Sequence, residues 1–232
     1  MRWASHSTVR RFIPRALLTV AFWLAVNSVP LQPAAAQDST AGDFDYLVLT
    51  LSWSPTYCAS SEGRNDRDQC RPDRRYAFVV HGLWPQQDRS WPEYCETSER
   101  YVPEHTIDRM LSIMPSKRLV IHEWRKHGSC FGTQDDYFAA IHTLFSQIRV
   151  PARYLSPQAP VAVTPKQLVA DFVKTNPRLS EKALSVHCGN ARDRANLQEL
   201  RICYDLGLNP RACGANERRS CQARQLILPP VR

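Results

Sequence analysis

All eight cysteines of the chain, at positions 58, 70, 95, 130, 188, 203, 213 and 221, lie behind an apolar N-terminal run, and that conjunction constrains the fold most. Arg2, Arg10, Arg11 and Arg15 precede the apolar residues 16–26, and Ala34, Ala35 and Ala36 follow, which is the layout of a cleavable secretory signal over residues 1–36. The run has about half of the roughly 20 residues a membrane-spanning helix requires, so export is expected and not anchoring. An even number of cysteines in an exported chain predicts disulfides formed in the periplasm or outside the cell. Structural zinc is the rival use, but no two of these cysteines stand two to four residues apart, so the usual half-site is missing. Many pairings remain open. Near neighbours such as 58 with 70, 188 with 203 and 213 with 221 would close short loops and leave 95 with 130 as the longest bridge.

Residues 37–232 are expected to form a single domain. With 43% hydrophobic and 22% charged residues, 8 glycines and 17 prolines, the chain has the composition of a folded protein, and it shows no recurring period of about 20–50 residues. Loss of residues 1–36 would remove four of the 30 Lys and Arg and no acid, so the net charge of +8 would fall to +4. A polyanionic partner therefore has to be argued from local chemistry. Strands are expected over Tyr46–Trp53, Tyr76–Val80 and Leu197–Tyr204. Helices are expected over Ile107–Ile113, Ser116–His127, Tyr137–Arg149 and, behind the capping residue Thr164, Pro165–Thr175. Their irregular order predicts an α+β fold, not a doubly wound parallel sheet.

Two short segments carry the chemistry. In the first, residues 78–86, an apolar strand delivers His81 into a loop opened by Gly82 and stiffened by Pro85. The second, residues 122–130, reads as a helix end, where His122, Glu123, Lys126 and His127 share a sector about 140° wide at 3.6 residues per turn. Gly128 can stop that helix and Cys130 can anchor the turn after it. Two imidazoles can serve as complementary acid and base near neutral pH, and a lysine with a further histidine suits the charge that builds on a phosphate in its transition state. The set predicts phosphoryl transfer with no metal or cofactor, and it suits RNA, whose 2'-hydroxyl is an internal nucleophile. The zinc-protease pattern needs histidines four apart, whereas His122 and His127 are five apart. His105, His142 and His187, the arginines Arg71, Arg74 and Arg75, and Ser52 and Ser129 have no such context and read as background.

These two segments, in this order, resemble the two active-site segments of the ribonuclease T2 family. The resemblance extends to Leu51–Cys58 and Leu197–Cys203 and covers nearly all of residues 43–228. It implies a central antiparallel sheet flanked by helices, disulfides, secretion, and endonucleolytic RNA cleavage through a 2',3'-cyclic phosphate that is then slowly hydrolysed. Matched by position, His127 would take the 2'-hydroxyl proton and His81 would protonate the leaving 5'-oxygen. His122 would hold the phosphate, and Glu123 and Lys126 would stabilise the transition state. The family also implies bridges Cys95–Cys130 and Cys188–Cys203, from which Cys58–Cys70 and Cys213–Cys221 follow. Base recognition is expected from stacking, with Trp84 first and Tyr57, Trp91 and Trp53 behind it, Trp53 being the most core-like of these. Some members carry an acid where this chain has Gln86, so broad base specificity is expected, from a monomer that needs no obligatory protein partner.

Overall fold

The computed structural model describes residues 41–218 and 221–231. The expected signal over residues 1–36 lies outside them. The run Tyr46–Trp53 forms strand β1, and seven of its eight residues are buried, as its nearly unbroken apolar sequence requires of a strand covered on both faces. It lies between β2 (Phe78–Gln86) and β5 (Arg194–Tyr204), antiparallel to both. The three-residue β3 (Val161–Val163), β4 (Leu184–Cys188) and β6 (Gln225–Leu228) complete a six-stranded sheet of order β2-β1-β5-β6-β3, with β4 paired to β5. All pairings are antiparallel except β5 with β6, so the expected α+β sheet is present with one parallel join.

Short helices α1 (Ser54–Cys58) and α2 (Arg67–Cys70) follow β1, joined to each other by the Cys58–Cys70 bridge. Helix α3 (Glu104–Met110) begins three residues before the expected position, behind Pro103. Helix α4 spans Lys117–Glu123, after which the backbone widens into a π turn over Trp124–Gly128 and tightens into α5 (Ser129–Phe131). Helix α6 runs from Gln134 to Ser146 because Thr133 caps it by accepting from the Asp136 N–H. Helix α7 is Pro165–Thr175 as expected, held at its start by a reciprocal capping box between Thr164 and Gln167. Among the described residues no helix is long and apolar enough to cross a membrane.

Strand alternation sorts the side chains. Leu47, Leu49, Leu51 and Trp53 join Leu200, Ile202 and Tyr204 in the core with Val120, Trp124, Ile141 and Phe172 of the helical layer. Glu199, Arg201 and Cys203 therefore face the other way, where Cys203 joins Tyr46 and Val48 in a small second cluster and Glu199 and Arg201 form an ion pair. The same register overturns two expected disulfides. Cys188 pairs with Leu197, six residues along β5 from Cys203, a distance of roughly 20 Å at strand rise, whereas a disulfide needs Cα atoms within about 7 Å. The bridges are Cys188–Cys221 and Cys203–Cys213, with Cα separations of 5.3 and 5.2 Å, and Cys95–Cys130 stands as expected. Chain reversal after β5 returns Arg211 to the Cys203 carbonyl, and the Cys221 N–H bonds the Val186 carbonyl, which brings each partner alongside.

Candidate active site

The segment expected as a loop after Val80 is strand through Gln86, and the correction explains how His81 is aimed. Val80 stands opposite Leu51 and Gly82 opposite Thr50, which leaves His81 as the extra residue of a β-bulge. Phe78 and Val80 before the bulge, and Leu83 after it, all enter the core. The alternation thus inverts, and His81 and Trp84, three residues apart, share the opposite face, where a regular strand would have separated them. Pro85 is tolerated because β2 is the end strand of the sheet path.

The π turn supplies the second half of the site. The Ser129 N–H reaches the Trp124 carbonyl five residues back, so the turn is one residue wider than an α-turn. On a regular α-helix His122 and His127 diverge by about 140°, and the wider turn narrows that angle. The His127 ring stacks against Trp84 with centroids 5.2 Å apart and planes 30° apart, and the His81 ring meets the same indole edge-on at 5.3 Å. Both imidazoles are therefore registered on one aromatic plate. The Trp84 Nε1–H donates to Glu123 Oε2 at 2.8 Å, while Glu123 Oε1 lies 3.5 Å from His81 Nε2 and has no hydrogen-bond partner among the described residues.

His81, His122, Glu123, Lys126 and His127 line one cleft of about 500 Å³, together with Trp84, Gln86 and Trp91. A neighbouring cleft of about 560 Å³ shares His81 and His122 and contains Tyr57. The structure separates the aromatic residues. Trp53 is fully buried, with Nε1–H donating to the Pro229 carbonyl, so it is a core residue and offers no base platform. The Trp84 ring is engaged by His127 and by the Arg201 guanidinium 4.6 Å from its centroid, so it positions side chains instead of standing free for a base. Trp91 is 53% exposed at the cleft and is the open aromatic surface there. Gln86 is buried, with Nε2 donating to the Pro85 carbonyl.

Sequence reasoning missed Glu199, Arg201 and Glu217. His81 Nδ1 is 2.7 Å from Glu199 Oε1, across 118 residues of chain, and Arg201 bridges Glu199 to Glu217. Their charged residues were visible as the polar half of an alternating strand, but nothing local shows which histidine they face.

The electrostatics drive the two histidines apart. Burial lowers the His127 pKa to about 3, helped by the positive charges of Lys126, His81, His122 and Arg201, so its ring is held neutral. Burial also works against charge on His81, but the hydrogen bond to Glu199 and the carboxylates of Glu123 and Glu199 prevail and raise its pKa above 6.5. Glu199 is correspondingly pulled down to about 2, against its burial, by His81 and Arg201. Burial, then Lys126 and His81, lower His122, and burial raises Glu123. One cleft thus holds an imidazole that is kept protonated, with a proton to give, beside one kept neutral, with a free nitrogen to receive it.

The chain is similar to known proteins in sequence and in fold. The model of the Ribonuclease T2 family matches residues 44–213. A probable ribonuclease of Haemophilus influenzae is 33% identical over 174 residues, covering 69% of this chain and 58% of that protein. A ribonuclease of Aeromonas hydrophila is 45% identical over 109 residues, covering 47% and 46%. These matches span about half the length of the two relatives. The fold is shared with an RNase-related protein from Calystegia sepium, at TM-score 0.62 and 25% identity over 82% of this chain and 98% of that one. Human RNase T2 has the same fold at TM-score 0.62 and 18% identity, over 82% and 100%. The matched residues contain β1, β2, the π turn and β5, and this chain belongs to the ribonuclease T2 family.

Proposed function

We propose that the protein is a metal-independent endoribonuclease that cleaves single-stranded RNA by transesterification. One observation carries the reading: His81 and His127 flank the same indole in one cleft with their pKa values pushed in opposite directions. Neutral His127 takes the 2'-hydroxyl proton, the 2'-oxygen bonds phosphorus, and the P–O5' bond breaks as His81 gives its proton to the leaving oxygen. A 2',3'-cyclic phosphate results. In its slower hydrolysis the roles reverse, His81 accepting a proton from water and His127 returning one to the 2'-oxygen. His122 holds the phosphate, Lys126 neutralises the charge that builds on its equatorial oxygens, and Glu123, which lines the same cleft, orients the site. Trp91 offers a stacking surface, and Gln86 in place of a carboxylate supports broad base preference. The reading includes export through residues 1–36, a single catalytic domain over 37–232, a monomeric state and no cofactor.

Incubation of the purified mature protein with RNA in excess EDTA is expected to yield 2',3'-cyclic phosphate ends first and 3'-phosphates later. Loss of activity on chelation, or 5'-phosphate products, would overturn the mechanism. The pH dependence of kcat/KM, which reports the free enzyme, provides a second check. His127 must be neutral, so the acid limb lies near pH 3; His81 must be protonated, so the alkaline limb lies above 6.5. A bell with its plateau on the acidic side of neutrality is expected. An acid limb near pH 6 would show that His127 titrates as an ordinary histidine.

A further inference from the structure

The charge string that begins at His81 continues far beyond the cleft. From His81 Nδ1 it passes to Glu199 Oε1 at 2.7 Å, and Glu199 Oε2 accepts from the Arg201 Nη2–H and Nε–H at 2.8 and 3.0 Å. The Arg201 Nη1–H donates to Glu217 Oε1 at 2.9 Å, and Glu217 Oε2 lies 3.0 Å from His187 Nε2. Four elements contribute: β2, β5, β4 and the 3₁₀ turn Ala215–Arg218. Glu217 is 4% exposed, so each of its contacts is made away from water, where an unpaired charge is costly. The segment bearing it follows directly from the Cys203–Cys213 bridge and leads to the Cys188–Cys221 bridge, so both ends of that stretch are tied to the sheet.

Arg201 has a guanidinium engaged by two carboxylates, with Trp84 beneath it, so its charge is already neutralised within the protein. It stands at the cleft without being available as a phosphate-binding cation. The geometry points to a different use for the string: we infer that Glu199 is a positioning residue for His81, holding Nδ1–H toward β5 so that Nε2 is left on the side of Glu123 and the cleft, with Arg201 and Glu217 fixing Glu199 in place. This rests on the reading of His81 as the general acid. Around His81 the charged or titratable groups are Glu123 and His122 from α4, Lys126 and His127 from the π turn, and Glu199 and Arg201 from β5. Only the two carboxylates favour the protonated ring, and Glu199 alone bonds Nδ1, so Glu199 sets the ring's orientation and shares with Glu123 in favouring its charge.

The test is an NMR titration of the His81 ring in the intact mature protein without RNA, paired with the pH profile of kcat/KM. Glu199→Gln keeps an acceptor of the same shape and removes the charge. Its expected effect is a fall of about one pH unit or more in the His81 midpoint, with the alkaline limb of kcat/KM moving down equally and the acid limb fixed. Glu217→Gln, which leaves the His81 contacts in place, is expected to move the midpoint the same way by less, because Arg201 then draws Glu199 toward itself. Unchanged His81 midpoints would overturn the inference, including a result from Glu217→Gln alone should Glu199→Gln fail to fold. A shifted midpoint in a protein that cleaves no RNA would leave the positioning role standing and defeat the nuclease reading instead.

Discussion

Replacing His127 with alanine is expected to lower kcat for RNA by about 10²–10⁴-fold, the usual share of a positioned general base, while the protein stays folded. The ring is buried with Nδ1 unpartnered among the described residues, so its removal deletes an unsatisfied polar atom as well as a stacking contact on Trp84, and these losses partly offset in stability. A shift of a few degrees in Tm is expected. His81→Ala should reduce RNA cleavage to a similar extent, but the two variants separate on a second substrate. A nucleoside 3'-phosphodiester with a p-nitrophenolate leaving group departs without needing a proton. His81→Ala is expected to recover most of its rate on that substrate, and His127→Ala is not, because the 2'-hydroxyl still has to be deprotonated. Near-normal RNA hydrolysis by either variant would refute the site, and recovery by the wrong variant would exchange the two roles.

What was legible in the sequence was what short-range chemistry controls. The Thr164 cap with Pro165 behind it sets α7 from adjacent residues, and the structure has that helix with those bounds. β1 was legible because Tyr46–Trp53 is rich in β-branched, aromatic and other apolar residues, broken only by Thr50 and Ser52, as a strand buried on both faces requires. The helical reading of residues 122–127 assumed 3.6 residues per turn throughout. A π turn depends on how Gly128 packs against Trp124 and Tyr137 from another helix, so it leaves no periodic trace. The bulge at His81 is similarly a product of pairing between two strands, since one strand alone cannot show that its partner is a residue short. Disulfide reasoning from loop length failed for Cys188 and Cys203 because strand extension, not chain separation, sets how far apart they stand. Glu199 escaped for the same physical reason, as its meeting with His81 is created by β1 lying between their strands.

The bulge also makes Gly82→Ala a severe one-methyl change. A Cβ at this position would collide with Glu123 Oε2 and stand 2.7 Å from Glu123 Cδ and 2.8 Å from Trp84 Nε1. These are the two partners of the Trp84–Glu123 hydrogen bond, so one methyl wedges the contact that registers both histidines. Glu123 has no exposed surface and its Oε1 already lacks a partner, so the displaced carboxyl cannot turn to water. Overpacking and a newly unsatisfied buried oxygen together predict a loss of roughly 2–5 kcal/mol, measurable as a lowered midpoint in urea unfolding with an unchanged slope. Activity should fall further than stability explains. At a temperature where the variant is fully folded, kcat is expected to drop at least about tenfold, since a displaced indole moves both imidazoles of the proton transfer, His81 and His127, away from their common phosphate. Trp84→Phe separates the two causes: it removes the Nε1–H donor without inserting a methyl, so it should weaken the registration of Glu123 with a smaller loss of stability. A Gly82→Ala protein with the wild-type unfolding midpoint and wild-type kcat would mean that the approach of β2 to Glu123 is loose, and with it the account of how this strand aims its histidine.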